Sequence, residues 1–141
     1  MLTCKEIMEY RNKYNLFPRM LGIRTTLLEP GHACAEMKIC STYENAIGSV
    51  HGGCIFSLAD TVAGSAAASN GMKMTTLGSN LNYLKAAMHV DSLYGEATEV
   101  KSGKNIAIYN VEIKDSKNNM IANGSFSFFN LKEELIAHTE K

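Results

Sequence analysis

Apolar and polar residues alternate along this chain with two different periods, and the changes of period divide it into elements. From Thr3 to Asn15 the apolar positions Ile7, Met8, Tyr10 and Tyr14 recur at helical intervals. Thr3 can cap that helix, and Glu6 stands at the capping-box position three residues on. Phe17-Pro18 is expected to end it, because a residue before proline avoids helical backbone. Leu21 to Glu29 alternates loosely and predicts a strand, and Pro30-Gly31-His32 predicts a turn. Ala33 to Ile39 reads as the returning strand, with Cys34, Glu36 and Lys38 opposite Ala35, Met37 and Ile39. Residues 41–50 predict an irregular loop rich in Ser, Asn and Gly.

Residues 52–69 differ from everything around them. They are small or apolar on every side, opened by Gly52-Gly53 and closed by Asn70-Gly71, and they predict a helix buried all round. Strand patterns return over 74–84, 92–101, 105–114 and 120–131, with a turn at Ser102-Gly103 and a polar hairpin loop over Asp115 to Asn119. The polar tail from Lys132 is expected to fray.

The resulting order is helix, two strands, buried helix, four strands. Six strands in meander-like order predict an α+β fold with an antiparallel sheet and one central helix across it. A sheet covers only part of such a helix. A chain of 141 residues has no second layer left for the rest. A second copy is therefore expected to cover it, giving a homodimer at least.

Length and composition narrow the classes. The chain fits one domain over 1–141, and 45% hydrophobic content suffices for a packed core. The formal net charge is zero, so no basic face is implied and nucleic acid is not the expected partner. No long uncharged apolar run predicts a membrane span, and residues 1–20 are too charged for a signal peptide. Cys4, Cys34, Cys40 and Cys54 form no CxxC pair, and His32, His51, His89 and His138 have no ligand spacing. Free thiols in a reducing cytoplasm and no metal site are the expectation.

The chemistry concentrates near the second helix. Asp60 is the one charged side chain between His51 and Lys73, and a lone carboxylate in a buried helix is costly unless paired or used. It could serve as general base or nucleophile, or be a structural acid bonded to nearby hydroxyls. Gly52 and Gly53 open the helix, where N–H groups lack internal partners and a ligand can approach the backbone. Such a turn can polarise a carbonyl, or it can simply allow tight packing. Asp60 follows Gly53 by seven residues, about 10 Å along the axis, too far for both to act on one carbonyl within one chain. If both act, a second copy must bring its Asp60 to the first copy's glycines. His51 is a candidate base or a turn-shaping donor. Asn45 is a candidate donor to a substrate carbonyl or an Asx turn. Thr75 and Thr76 could orient a water or merely favour a strand.

The run Asn45-Ala-Ile-Gly-Ser-Val-His51-Gly-Gly-Cys-Ile-Phe-Ser-Leu-Ala-Asp60 resembles the signature of the hotdog-fold acyl-CoA thioesterases of the phenylacetate-pathway (PaaI-like) class. The pattern is N-x-x-G-x-x-H-G-G, then an Asp seven residues on, and the likeness in element order covers about 5–131. The resemblance implies a hotdog fold: a curved antiparallel sheet of about six strands around one long central helix, with an N-terminal helix. It also implies a dimer, often doubled to a homotetramer, and no cofactor beyond the coenzyme A of the substrate. In that reading Gly52 N–H polarises the thioester carbonyl with Gly53 nearby. Asn45 and His51 help to place the thioester or water, and Asp60 of the other subunit acts as base or nucleophile. Thr76 falls where the family often has a Ser or Thr assisting the Asp. One departure is Tyr83-Leu-Lys-Ala86-Ala, which lacks a proline common in the family and bears on the loop beside the acyl or coenzyme A channel.

Lys101 and Lys104, flanking Ser102-Gly103, are candidate contacts for coenzyme A phosphates, or ordinary solvated lysines. The expected activity is hydrolysis of an aromatic or medium-chain acyl-CoA. The rivals are a non-catalytic acyl-CoA sensor on the same fold and an enoyl-CoA hydratase.

Overall fold

The computed structural model describes residues 1–136. The helices are α1 (Cys4–Tyr14), α2 (Leu16–Met20) and α3 (Gly52–Ala68). The strands are β1 (Ile23–Glu29), β2 (His32–Lys38), β3 (Met72–Tyr83), β4 (Ser92–Ser102), β5 (Ile106–Asp115) and β6 (Met120–Glu134). The capping box forms as the sequence predicts: Glu6 N–H donates to Thr3 Oγ1 at 3.2 Å and Thr3 N–H to Glu6 Oε1 at 3.1 Å. The Thr3 N–H and the Thr3 hydroxyl, both donating to Glu6 Oε1, hold the Glu6 carboxyl below its ordinary value.

Among the described residues the strands form one antiparallel sheet in the order β1-β2-β4-β5-β6-β3. The simple meander is therefore corrected. β3 leaves α3 at the far edge and pairs with β6, and the chain then crosses back to lay β4 beside β2. Alternation tells which face a residue takes, not which strand it neighbours, so the pattern alone could not reveal this. The β3–β6 pairing depends on Gly124, where an added Cβ would lie 1.9 Å from Asn80 O. Two more departures are local. α1 ends at Tyr14 as expected, but Pro18 sits in the first turn of a second short helix, α2, where a missing N–H is harmless. β6 continues through Glu134, so Lys132–Glu134 is strand instead of frayed tail. The rest of that tail, 137–141, lies outside the described residues.

α3 lies across one face of the sheet. Leu58, Ala59, Val62, Ala63, Ala66 and Ala67 are fully buried against inward residues such as Met37, Leu93, Val111, Ile113 and Phe126. Burial all round is corrected: Gly53, Ser57, Asp60 and Gly64, at intervals of three and four, form a stripe not buried within the protomer. β3 beside it is exposed along most of its length, with Leu77 and Tyr83 more than half open to solvent.

Candidate active site

The loop before α3 is built by its own side chains. The Asn45 carboxamide oxygen accepts from the N–H groups of Ile47 and Ser49, both at 3.1 Å, and its Nδ2 donates to Ser49 Oγ at 2.7 Å. This is the Asx-type arrangement that the sequence permits. His51 N–H donates to Tyr43 O and Val50 N–H to Ala87 O, which pins the loop to its neighbours just ahead of the helix.

His51 is the N-cap of α3. Its Nδ1 accepts from Gly53 N–H at 2.8 Å, so in the neutral ring the proton sits on Nε2. The N–H groups of Cys54 and Ile55 go to His51 O. Gly53 N–H is thus occupied, whereas Gly52 N–H has no acceptor among the described residues. From the far end of β3, the Tyr83 hydroxyl donates to Gly52 O at 3.0 Å, and its ring would touch a Cβ on Gly52 at 3.4 Å. Partial loss of water pushes the Tyr83 hydroxyl up from its ordinary value. Nothing in the one-dimensional pattern signals the contact of Tyr83 with Gly52.

Two turns further along α3, Asp60 is half-buried and accepts a hydrogen bond from Thr76 Oγ1 at 2.9 Å. A β-bulge supplies that geometry. Thr76 pairs with Phe128 and Gly78 with Ser127, leaving Leu77 as the extra residue. Thr76, Met74 and Met72 share the face of β3 beside α3. Asp60 and Thr76 line a cavity of about 540 Å³ with Phe17, Phe56, Phe128 and Met74. Leu58 is fully buried in the core and does not line this cavity.

The same cavity is lined by Arg11 of α1, which the sequence pattern did not flag. Its Nε donates to Ser65 Oγ at 3.1 Å and an Nη2 hydrogen to Thr61 O at 3.4 Å. Ser65 Oγ also meets Thr25 Oγ1 at 2.8 Å, and Asn12 bonds both the N–H and C=O of Thr25 at 2.8 Å. Neighbouring polar residues of α1 therefore tie it to β1 and α3. Burial pulls the Arg11 guanidinium down to about 10, while the Asp60 charge pulls it up, so it stays cationic at neutral pH. Its presence in helical register with Ile7 marks an inward polar position, the one signal that could have found it.

The remaining candidates lie elsewhere. Lys101, Gly103 and Lys104 line a separate concavity of about 380 Å³ at the β4–β5 turn, where Lys132 Nζ reaches Lys104 O. On the sheet face away from α3, His32 Nε2, Cys34 Sγ and Glu96 Oε2 come within 4.8 Å of one another across β2 and β4. They are donor types that a metal accepts, brought together by register rather than by sequence spacing. All four cysteines are free thiols. No helix of the described residues is long and apolar enough to cross a membrane.

A helix start with an unoccupied Gly52 N–H and a hydroxyl-bonded carboxylate two turns on lie together on one helix packed against the sheet. The family model of the thioesterase superfamily matches residues 47–122, and the chain belongs to that superfamily. Its fold is the hotdog fold of the PaaI-like class. A putative esterase of Archaeoglobus fulgidus is 32% identical over 130 residues, spanning 92% of this chain and 84% of that protein. The acyl-coenzyme A thioesterase PaaI of Escherichia coli is 29% identical over 104 residues, 74% of each chain. The solved structure of the E. coli PaaI protein superposes with a TM-score of 0.90 at 22% identity, covering 94% of this chain and 96% of that one.

Proposed function

We propose that this thioesterase-superfamily member hydrolyses an aromatic or medium-chain acyl-CoA to free acid and CoA, at a site shared between two copies of the chain. The observation that carries the reading is the Asp60–Thr76 pair, 2.9 Å apart, on the open stripe of α3. The E. coli relative named an acyl-coenzyme A thioesterase supports the bond that is cut. The aromatic and thioether lining, Phe17, Phe56, Phe128 and Met74, supports an apolar acyl group.

The thioester carbonyl accepts from Gly52 N–H, which no protein acceptor among the described residues competes for. His51 holds Gly53 N–H, and Asn45 holds the loop, so both act by fixing the turn. Asp60 of the second copy takes a proton from water as the water oxygen bonds the carbonyl carbon. The tetrahedral oxyanion then collapses, the C–S bond breaks and CoA leaves as the thiolate, which is reprotonated. Direct attack by the carboxylate, through a mixed anhydride, uses the same placement. The Thr76 hydroxyl orients the carboxylate in either route. The exposed edge of β3 supports pairing of two copies into one continuous sheet, with doubling to a homotetramer. Lys101 and Lys104, either side of Gly103, offer exposed charge for the coenzyme A phosphates, and no further cofactor enters the reaction.

Mixing two inactive variants tests the shared site. Asp60→Asn and Gly52→Val, refolded together, should regain about a quarter of wild-type turnover on an acyl-CoA panel, since random mixing yields hybrid dimers with one intact site. Turnover by the unmixed Asp60→Asn protein at the wild-type rate would overturn the assignment of the acid. Absence of recovery on mixing would overturn the sharing.

A further inference from the structure

Three charged side chains line the cavity beside α3: Asp60, Lys73 and Arg11. Lys73 is paired with Glu133 at 2.8 Å. Asp60 is assigned to the reaction. Arg11 is left over, and its accounting is incomplete. Of the five N–H donors of a guanidinium, the hydrogen bonds to Ser65 Oγ and Thr61 O use two. No carboxylate of the described residues comes within the 4.0 Å of an ion pair. The cation is nonetheless held in place. Gly64 faces it so closely that a Cβ there would lie 3.1 Å from Nη2. Arg11 is only partly buried, and its unused donors open onto the cavity, where the acceptors of a ligand can replace water. A carboxylate satisfies two of those donors side by side and compensates the charge, which a hydroxyl or methyl group does not.

Its position along α3 suggests which part of the substrate that would be. Arg11 touches Thr61, Gly64 and Ser65, the turn that follows Asp60, about 5–6 Å beyond the carboxylate. A thioester carbonyl attacked beside Asp60 would direct the far end of a short acyl chain into that turn. We propose that Arg11 receives the free carboxylate of a short dicarboxylic acyl group, so that the protein favours the CoA monothioesters of such diacids over neutral acyl groups of equal length. The proposal rests on the thioesterase reading and extends its acyl range beyond aromatic and medium-chain groups to short diacids. Arg11 is a specificity-determining residue here, not a catalytic one.

The test compares glutaryl-CoA with valeryl-CoA, which have equal carbon count and differ at the far end. Wild type should show a kcat/KM ratio of about ten or more in favour of glutaryl-CoA. Arg11→Met should bring the ratio near one. Arg11→Lys should keep part of it as a point charge without the fork. Gly64→Ala keeps the cation but crowds it, and should lower the ratio without removing Arg11. A wild-type ratio near or below one, or a ratio unchanged in Arg11→Met, overturns the proposal while valeryl-CoA hydrolysis keeps the thioesterase reading intact. Hydrolysis of neither substrate, with equal calorimetric affinities for the two in wild type and Arg11→Met, overturns both.

Discussion

The two faces of α3 are both built mainly of small residues and do opposite things. The face toward the sheet, Leu58, Ala59, Val62, Ala63, Ala66 and Ala67, has no exposed area at all. The stripe beside the β3–β6 edge, Gly53, Ser57, Asp60 and Gly64, is not buried in the protomer and carries the polar chemistry. Small side chains serve burial on the first and access on the second. On the closed face alanines let the helix approach the strands closely, and on the open stripe Gly64 lets Arg11 approach the backbone. One helix can hold both because its faces repeat every three to four residues.

Substitutions on the two faces should separate function from stability. Asp60→Asn on the open face should lower kcat on the order of a hundred- to ten-thousand-fold with no loss of thermal midpoint, read by steady-state kinetics and calorimetry. If the midpoint falls as well, the carboxylate is a structural acid and the contrast between faces breaks. Leu58→Ala on the closed face should cost about 2–5 kcal/mol in denaturant unfolding, with turnover of the folded fraction unchanged. Thr76→Val, which removes the hydroxyl bonded to Asp60, should reduce kcat about tenfold, the size of one lost hydrogen bond to a charged group. The smallest effect concerns Tyr109, buried in β5 opposite the closed face with its ring edge against Phe128. Burial pushes its hydroxyl up from 10.0 to about 12. Between those values the unfolded tyrosine has lost its proton and the folded one retains it. Stability should therefore fall with rising pH by about 1.4 kcal/mol per unit in that window, and Tyr109→Phe should flatten the slope.

Most of the fold was legible along the chain because it depends on local signals. Thr3 and Glu6 announce α1, Gly52-Gly53 and Asn70-Gly71 bracket α3, and each strand alternates within a residue or three of its observed limits. Part of the proposed site was legible too. Asp60 stood out as a lone charge, and Thr76 stands against it in the structure. What stayed hidden depends on distant pairs. Tyr83 meets Gly52 from the far end of β3, Arg11 reaches α3 from another helix, and His32 and Cys34 meet Glu96 across the sheet. The half-open state of Asp60 was equally hidden, since composition reports how apolar a helix is and not how far its own sheet wraps around it.

Local pattern alone determined the helices, the alternation of the strands, the amide-rich turn at Gly52 and the isolation of Asp60, because backbone propensity and periodicity act over a few residues. Tertiary structure decided that β3 lies at the edge beside β6, that a bulge at Leu77 brings Thr76 to the acid, and that a guanidinium from α1 shares its cavity. Those outcomes turn on strand order and register, where contacts tens of residues apart compete and only the packed chain selects among them.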